Sequence, residues 1–375
     1  MSPELTAVAN VFAEYARDDF ADASPRYVTL SRACADRPGL GAALLAAPVT
    51  QRRPLLFFAA VQYLLRTAAQ GHPLARYLPV LGGERTDDGI VAALADLVDG
   101  HRDALAELCA TRTTQTNEAA RAAYLWPALG TLAGAFEGRP LHLIEVGTSA
   151  GLLLLPDRYA YRYPGEYGRP DAPEPLVMRC ELRPAYAASF ADAAGATVRI
   201  AGRVGVDLRP IAADDADAVA WLRSCVWPEQ TDRLARLDAA LAEAAPAGVR
   251  LVAGDSVDAL PGLLAEVPAG AVPVVFASHA LTYLAPSRRA ELVALLAAEG
   301  ARRDLAMIVN ESDCCGVDLF AATPSTRDTA ARTSATLATA TWQAGRPTVT
   351  ALAVTGPHGA WLAWAPRPVP AAAGL

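Results

Sequence analysis

Residues 141–152 read Leu-His-Leu-Ile-Glu-Val-Gly-Thr-Ser-Ala-Gly-Leu, an apolar run that ends in an acid, two glycines and a serine. This pattern predicts a buried strand over 141–146, a tight turn through Gly147 and Gly151, and a helix over 151–161. Glycines in such a turn let the backbone approach a ligand closely, and a helix N-terminus offers free N–H groups. The same residues satisfy GxSxG, the strand-turn-helix elbow that presents a nucleophilic serine. Ser149 would then be the nucleophile, His358 a downstream base, and Asp318 or Asp313 the third member. Other polar groups gather where later apolar runs stop: Asp207, Asp255, Ser278-His279 and Glu311. His279 is the best general base, since an imidazole titrates in the useful range. A capping or core role accounts for a lone histidine equally well. Tyr283, one turn on, is placed to orient a substrate or to pack. Glu311 is placed to bind an amine, although a solvated strand end explains it more simply.

The elements that must position these groups change character at Leu141. Before it, residues 3–17, 29–46, 53–69 and 89–111 place apolar side chains at three- and four-residue intervals, the period of amphipathic helices. A further helix is expected over 117–136, kinked or restarted at Pro127. After Leu141, short apolar runs alternate with helical stretches. Strands are expected over 141–146, 176–181, 198–207, 249–254, 272–277 and 305–310, and helices over 216–245, 257–266 and 286–299. Such alternation means βαβ units and a parallel sheet. Residues 348–355 and 360–365, around Gly356-Pro357-His358-Gly359, read as a closing β-hairpin.

Length and composition bound the rest. A chain of 375 residues exceeds the ~100–200 expected of one domain. With 53% hydrophobic and 19% charged residues there is ample material for packed cores. A net charge of −7 and a pI of 5.3 argue against nucleic acid as a partner. All 33 basic residues are arginine, so Schiff-base, lysine-base and Walker-type phosphate chemistry are excluded. Six cysteines without a CxxC pair predict neither a metal site nor a disulfide framework and fit a reducing cytoplasm. No signal peptide is read at the N-terminus, and the apolar stretch 54–65 is too short to span a ~30 Å bilayer core. The expected setting is cytoplasmic, with a small-molecule substrate, no membrane, and a homo-oligomer or a small partner protein as the possible assembly.

The turn Glu145-x-Gly147-x-Ser149-x-Gly151 resembles the glycine motif of the class I S-adenosylmethionine (SAM) methyltransferases, with serine at the middle glycine. In that family the acid at position 145 orients the loop and the ligand's amino-acid moiety. Gly205-Val206-Asp207-Leu208 resembles the second strand, whose acid holds the ribose hydroxyls; Glu181 is the alternative, because Asp207 lies far beyond the ~20 residues usual for the related dinucleotide fold. Val252-Ala253-Gly254-Asp255 resembles the third strand, whose acid accepts from the adenine amino group. Val274 to Leu281 resembles the fourth, whose end, with Ser278, faces the transferring methyl. The resemblance implies a doubly wound α/β sheet ending in an antiparallel hairpin, behind an all-helical N-terminal domain. It also implies SAM as cofactor, although SAM binding can be lost on such a scaffold. The serine hydrolase ranks below it, since that fold needs several strands and an oxyanion loop upstream, where this sequence is helical.

Gln115-Thr-Asn117-Glu118, the 145–152 turn, the run from Asp157 through Tyr163 (Asp-Arg-Tyr-Ala-Tyr-Arg-Tyr) and Trp227-Pro228-Glu229 together resemble a mainly actinobacterial family with a methyltransferase-like C-terminal domain and no assigned activity. The likeness covers nearly the whole chain. It departs at Leu153, where asparagine is expected, at Pro156, where an aliphatic residue is expected, and at Ala277-Ser278-His279, where His-Ser is expected. Arg158 and Tyr161 are candidates to line an anionic pocket, and Gln115 and Asn117 to touch substrate. The expected domains are a helical lid over 1–115, a Rossmann-like domain over 116–366 with an inserted β-ribbon at 160–200, and a loose tail over 367–375. The leading function is methyl transfer from SAM to a small molecule in secondary metabolism. The alternative is base-assisted elimination or ring closure, such as aziridine formation, without methyl transfer. A non-catalytic nucleotide-binding module is the third class.

Overall fold

The computed structural model describes residues 2–164, 172–183, 189–323 and 334–375. Its helices are α1 (Pro3–Arg17), α2 (Pro25–Asp36), α3 (Pro54–Arg66), α4 (Ile90–Gly100), α5 (Arg102–Thr111), α6 (Ala122–Ala135), α7 (Ser189–Gly195), α8 (Ala216–Ser224), α9 (Thr231–Ala244), α10 (Ser256–Ala265) and α11 (Pro286–Gly300). Its strands are β1 (Leu141–Val146), β2 (Ala160–Arg162), β3 (Val177–Arg179), β4 (Glu181–Leu182), β5 (Ile200–Asp207), β6 (Arg250–Ala253), β7 (Val272–Ser278), β8 (Leu305–Glu311), β9 (Ala335–Gln343), β10 (Arg346–Thr355) and β11 (Trp361–Val369). Among the described residues no helix is long and apolar enough to cross a membrane.

The chain divides into two units, and the first combines residues 1–117 with 214–237. Helix α1 shows why its elements form. The Ser2 hydroxyl caps the Leu5 N–H, Pro3 occupies the first turn, and Val8, Phe12 and Ala16 fall on one buried stripe. The core is aromatic: Tyr27 stacks on Phe58 at 4.3 Å, and Phe20 meets Trp227 edge-on at 5.0 Å. Trp227 explains why the segment 214–237, expected in the second domain, completes the helical one. Gln62 binds the Val226 carbonyl at 2.7 Å, and Glu229 accepts from Ser24 and from the Arg26 N–H. The expected helix over 216–245 is accordingly two helices, separated around Trp227-Pro228, because proline lacks the N–H that a continuing helix needs.

The second unit, residues 118–213 and 238–375, holds a nine-stranded sheet in the order β4-β11-β10-β9-β8-β7-β1-β5-β6. Strands β6, β5, β1, β7 and β8 are mutually parallel; the pairs β8–β9, β9–β10 and β10–β11 are antiparallel, and β4 adds parallel to β11. The parallel strands thus follow the 3-2-1-4-5 order of a doubly wound sheet. Strands β7 and β8 are buried almost throughout, as continuous apolar runs in a covered parallel sheet should be. The expected terminal hairpin is present as β10 and β11, and a third antiparallel strand, β9, precedes it.

Several expectations fail for local reasons. Residues 151–161 form no helix: Leu152–Leu154 make a single 3-10 turn, and the chain reaches β2 by turns. A Leu-Leu-Leu-Leu-Pro sequence has no polar face to leave in water, and Pro156 disfavours helical Leu155, so residues 152–156 are buried instead. Among the described residues of 160–200, β2 and β3 pair parallel and β4 joins the main sheet, which is not the pairing of a β-ribbon. Pro127 is carried inside α6. The tail is held: β11 runs to Val369, the Ala322 N–H reaches the Pro370 carbonyl, and the Ala372 N–H reaches that of Phe320.

Candidate functional site

In an open parallel sheet the ligand crevice lies beyond the carboxyl ends of the strands where the strand order reverses. Here that point falls between β1, which continues to β5 and β6, and β7, which continues to β8. Strand β1 carries Glu145 one residue before its end, β7 ends in Ser278 and β8 in Glu311, and His279 directly follows β7. Arg121 enters from the turn before α6, and its Nη1 lies 3.4 Å from the Ser278 carbonyl.

The electrostatics of this point are unusual. Glu311 is only 1% exposed. Its Oε1 accepts from the N–H groups of Ala280 at 2.6 Å and Leu281 at 2.9 Å, while its Oε2 is buried without a partner. Burial pushes the carboxyl up to about 7, against the pull of those N–H groups and of Arg121. Glu145, 3% exposed, is pushed up to about 8, again by burial, although the Thr148 hydroxyl donates to it at 2.6 Å. Burial, with the positive charge of Arg121, pushes His279 down to about 4, so its ring is neutral at pH 7. One guanidinium thus acts on three titratable groups. Unlike charges lower a carboxyl and like charges disfavour an imidazolium, so Arg121 favours ionised Glu145 and Glu311 and neutral His279.

The cleft between β7, β8 and α6 is lined by Arg121, Tyr124, Leu153, Phe276, Ser278 and Asn310, with an interior of about 10 Å³. That is room for about one water. Asn310 faces Ser278 at 3.5 Å and accepts from Thr355 at 2.8 Å, which fixes its amide. A larger groove of about 470 Å³ lies between α1 and α2, lined half by alanines and otherwise by Val28, Arg17, Arg32 and Asp36, and it holds no nucleophile.

The expected cofactor residues are largely spent inside the chain. Asp207 accepts from the Ser149 N–H through Oδ2 and from the Arg209 N–H through Oδ1, each at 2.9 Å. The N–H groups of Gly147 and Thr148 go to the Val206 carbonyl, and that of Gly151 to the Thr148 carbonyl. Asp255 caps α10 through Oδ1 and is paired with Arg288. Glu181 lies in β4 at the opposite edge of the sheet, which removes it as a ribose ligand. With no helix after the turn there is also no helix N-terminus to meet a carboxylate. SAM would have to share Asp207, Asp255 and the N–H groups of the turn with these internal partners.

Two glycines shape this turn. A Cβ at Gly205 would lie 2.2 Å from the Thr148 hydroxyl, so only glycine lets Thr148 cross β5 to reach Glu145. Gly147 has φ +74 and a Cβ there would meet the Ala280 Cβ at 2.5 Å. Gly147→Ala is expected to cost about 2 kcal/mol, from left-handed strain and overpacking together, readable as a lower urea midpoint at unchanged slope.

The remaining candidates are dispersed. Tyr283 is 82% exposed. Tyr161 is a core side chain, stacked on Trp126 at 5.2 Å with its hydroxyl on the Pro156 carbonyl, so it lines no open pocket. Arg158 is exposed and precedes β2. Gln115 and Asn117 close the first unit, where the Gln115 N–H meets the Cys225 sulfur. The nucleophile elbow fails on its own terms, because no helix follows Ser149. His358 sits exposed in the turn after β10, four strand spacings from β1, about 19 Å at ~4.8 Å each. Sequence reasoning missed Arg121 and Asn310. Asn310 was visible as a polar residue closing a buried strand; Arg121 gave no signal.

A family model described as "Uncharacterized protein conserved in bacteria (DUF2332)" matches residues 9–364. No curated protein sequence matches this chain. Among solved structures, the CcbJ methyltransferase from Streptomyces caelestis is similar at 13% identity and a TM-score of 0.21, over 66% of this chain and 72% of that one.

Proposed function

The chain belongs to that bacterial family, and from this premise we propose that it is a small-molecule enzyme that moves a proton at the switch point of its α/β unit. The reaction class is base-assisted elimination or intramolecular ring closure. The observation that carries this reading is Glu311: one carboxylate oxygen is pinned by two backbone N–H groups, the other is buried and unpartnered, and the group is lifted to about 7. A base works best when its pKa lies near the operating pH, and Glu311 meets that condition better than His279 at about 4. Glu311 takes the proton from the attacking or adjacent atom, the leaving group departs with its electron pair, and Arg121 offers positive charge to the departing anion. Neutral His279 orients the substrate by hydrogen bonding. Glu145, lifted to about 8 by the same burial, is a second carboxyl at these strand ends.

The test is to incubate the purified protein with fractionated bacterial metabolites, without SAM, and to follow consumed masses. Turnover is expected to rise with pH through about 7 and to fall by ~10²–10⁴ in Glu311→Gln. Turnover indifferent to Glu311 would refute the assignment. Methyl transfer is the second reading, favoured by the Glu145–Gly151 turn at the end of β1. Calorimetric titration with SAM and S-adenosylhomocysteine decides it: micromolar binding lost in Asp207→Ala would put methyl transfer in first place.

A further inference from the structure

Three residues beyond Glu311, the chain places two cysteines side by side in a 3-10 turn, Asp313–Cys315. Their sulfurs are 3.6 Å apart. Cys314 is exposed and lies 3.6 Å from the Ser312 hydroxyl, whereas Cys315 is buried with the Arg289 guanidinium of α11 against its sulfur. The other four cysteines are buried or half-buried. We propose that Cys314 and Cys315 are a thiol-modification site that reacts with low-molecular-weight disulfides and closes to a disulfide between the two.

The chemistry follows from exposure and charge. The thiolate of Cys314, the accessible sulfur, attacks a small disulfide RSSR, forming a mixed disulfide and expelling RS⁻. Cys315, its sulfur 3.6 Å away, then attacks the Cys314 sulfur as its thiolate and expels the second RS⁻; burial holds this thiol up, and the Arg289 guanidinium partly opposes it. The two protons released by the cysteines go to the two departing thiolates. In sum, two protein thiols are oxidised and one RSSR is reduced to two RSH. Adjacent Cα atoms are ~3.8 Å apart, below the 4.4–6.8 Å usual across a disulfide. The closed form is therefore strained and readily reduced, as a reversible site requires.

The turn is mechanically tied to the proposed base. A Cβ on Gly316 would lie 3.0 Å from the Glu311 Cβ, the Gly316 N–H binds the Asp313 carbonyl, and the Asp313 carboxylate accepts from Thr336 in β9. Closing the eight-membered ring must reset the 314–315 backbone and, through Gly316, the setting of Glu311. This consequence for activity rests on the proposed role of Glu311; the exchange chemistry does not.

The experiment treats the native protein with oxidised glutathione and measures intact mass and peptide masses. The wild type is expected to lose two hydrogens from the peptide holding Cys314 and Cys315, without a retained adduct. Cys315→Ser is expected to keep one glutathione on Cys314, and Cys314→Ser, altered at an exposed position, to react at neither. Wild type that stays fully reduced, or keeps the adduct as Cys315→Ser does, overturns the site. The titration of Glu311, followed by difference infrared spectroscopy in oxidised and reduced protein, reports the coupling separately. An unshifted titration in fully oxidised protein overturns the link to the base and leaves the exchange intact.

Discussion

Replacing Glu311 by glutamine is expected to flatten the loss of stability that the wild type shows between pH 4.5 and about 7. The sign follows from linkage. A carboxyl whose folded pKa, about 7, exceeds its unfolded value of 4.5 keeps its proton longer in the native state. The folded protein therefore binds more protons across that window, and its stability falls as pH rises through it. A shift of this size corresponds to about 3 kcal/mol at the top of the window, an order-of-magnitude figure at ~1.4 kcal/mol per unit. Glutamine keeps an oxygen for the Ala280 and Leu281 N–H groups and cannot ionise, so this limb disappears. Glu145, lifted to about 8, leaves a second limb that Glu145→Gln removes in turn. Urea midpoints of wild type and both variants, measured from pH 4 to 9, give the curves. A Glu311→Gln curve parallel to wild type would show that Glu311 is an ordinary carboxyl, and the proposed base would go with it. A variant more stable than wild type at alkaline pH is what a site holding a strained group predicts, since such groups persist at the expense of stability.

The same physics marks where the sequence could be read and where it could not. Strand β1 and helix α1 fall on the residues their patterns predict, because an unbroken apolar run and a capped, one-faced stripe are local signals. The parallel strands β5, β6, β7 and β8 were legible for the same reason, each being a short apolar run. The state of the strand ends was not. Glu311 reads as a solvated strand end in one dimension, and only the fold of residues 280–281 over it decides otherwise. Arg121 reaches Ser278 across 157 positions of sequence. Trp227-Pro228-Glu229 stood out as a motif, yet its partners Phe20, Ser24 and Arg26 lie some two hundred residues earlier, in the helical unit whose core it completes. Asp207 resembled a ribose ligand through its strand context, and the groups that occupy it, the N–H of Ser149 and Arg209, carry no side-chain signature at all.

The segment that replaces the expected helix supplies the second large effect: Asp157→Ala is expected to destabilise the α/β unit by about 3 kcal/mol. Asp157 closes the buried leucine run and binds Arg203 of β5 through both oxygens, at 2.8 and 2.9 Å; the same guanidinium holds the Leu154 carbonyl at 2.9 Å. Arg203 is nearly buried, so removing Asp157 leaves a charge with one neutral acceptor and little water. Breaking one half of such a pair costs more than the pair contributes, so the double replacement Asp157→Ala with Arg203→Met should recover part of the loss. The Asp157 carboxyl is held below its usual range: burial opposes this, and the Arg203 guanidinium outweighs it. Its contribution is thus present above the unfolded carboxylate pKa and is lost as pH falls through the lower folded one. Calorimetric melting at pH 7 should show a drop of roughly 6–12 °C for Asp157→Ala, at ~2–4 °C per kcal/mol for a unit of this size. A drop within 2 °C (about the error of such a scale) would mean that the leucines alone anchor the segment. The functional stake lies one turn away, because Leu152 and Leu154 follow Gly151 directly and Leu153 lines the cleft beside Ser278 and Asn310. Loosening their anchor should therefore lower the retained activity of Asp157→Ala more than its remaining folded fraction accounts for, whereas a purely structural pair would lower both together.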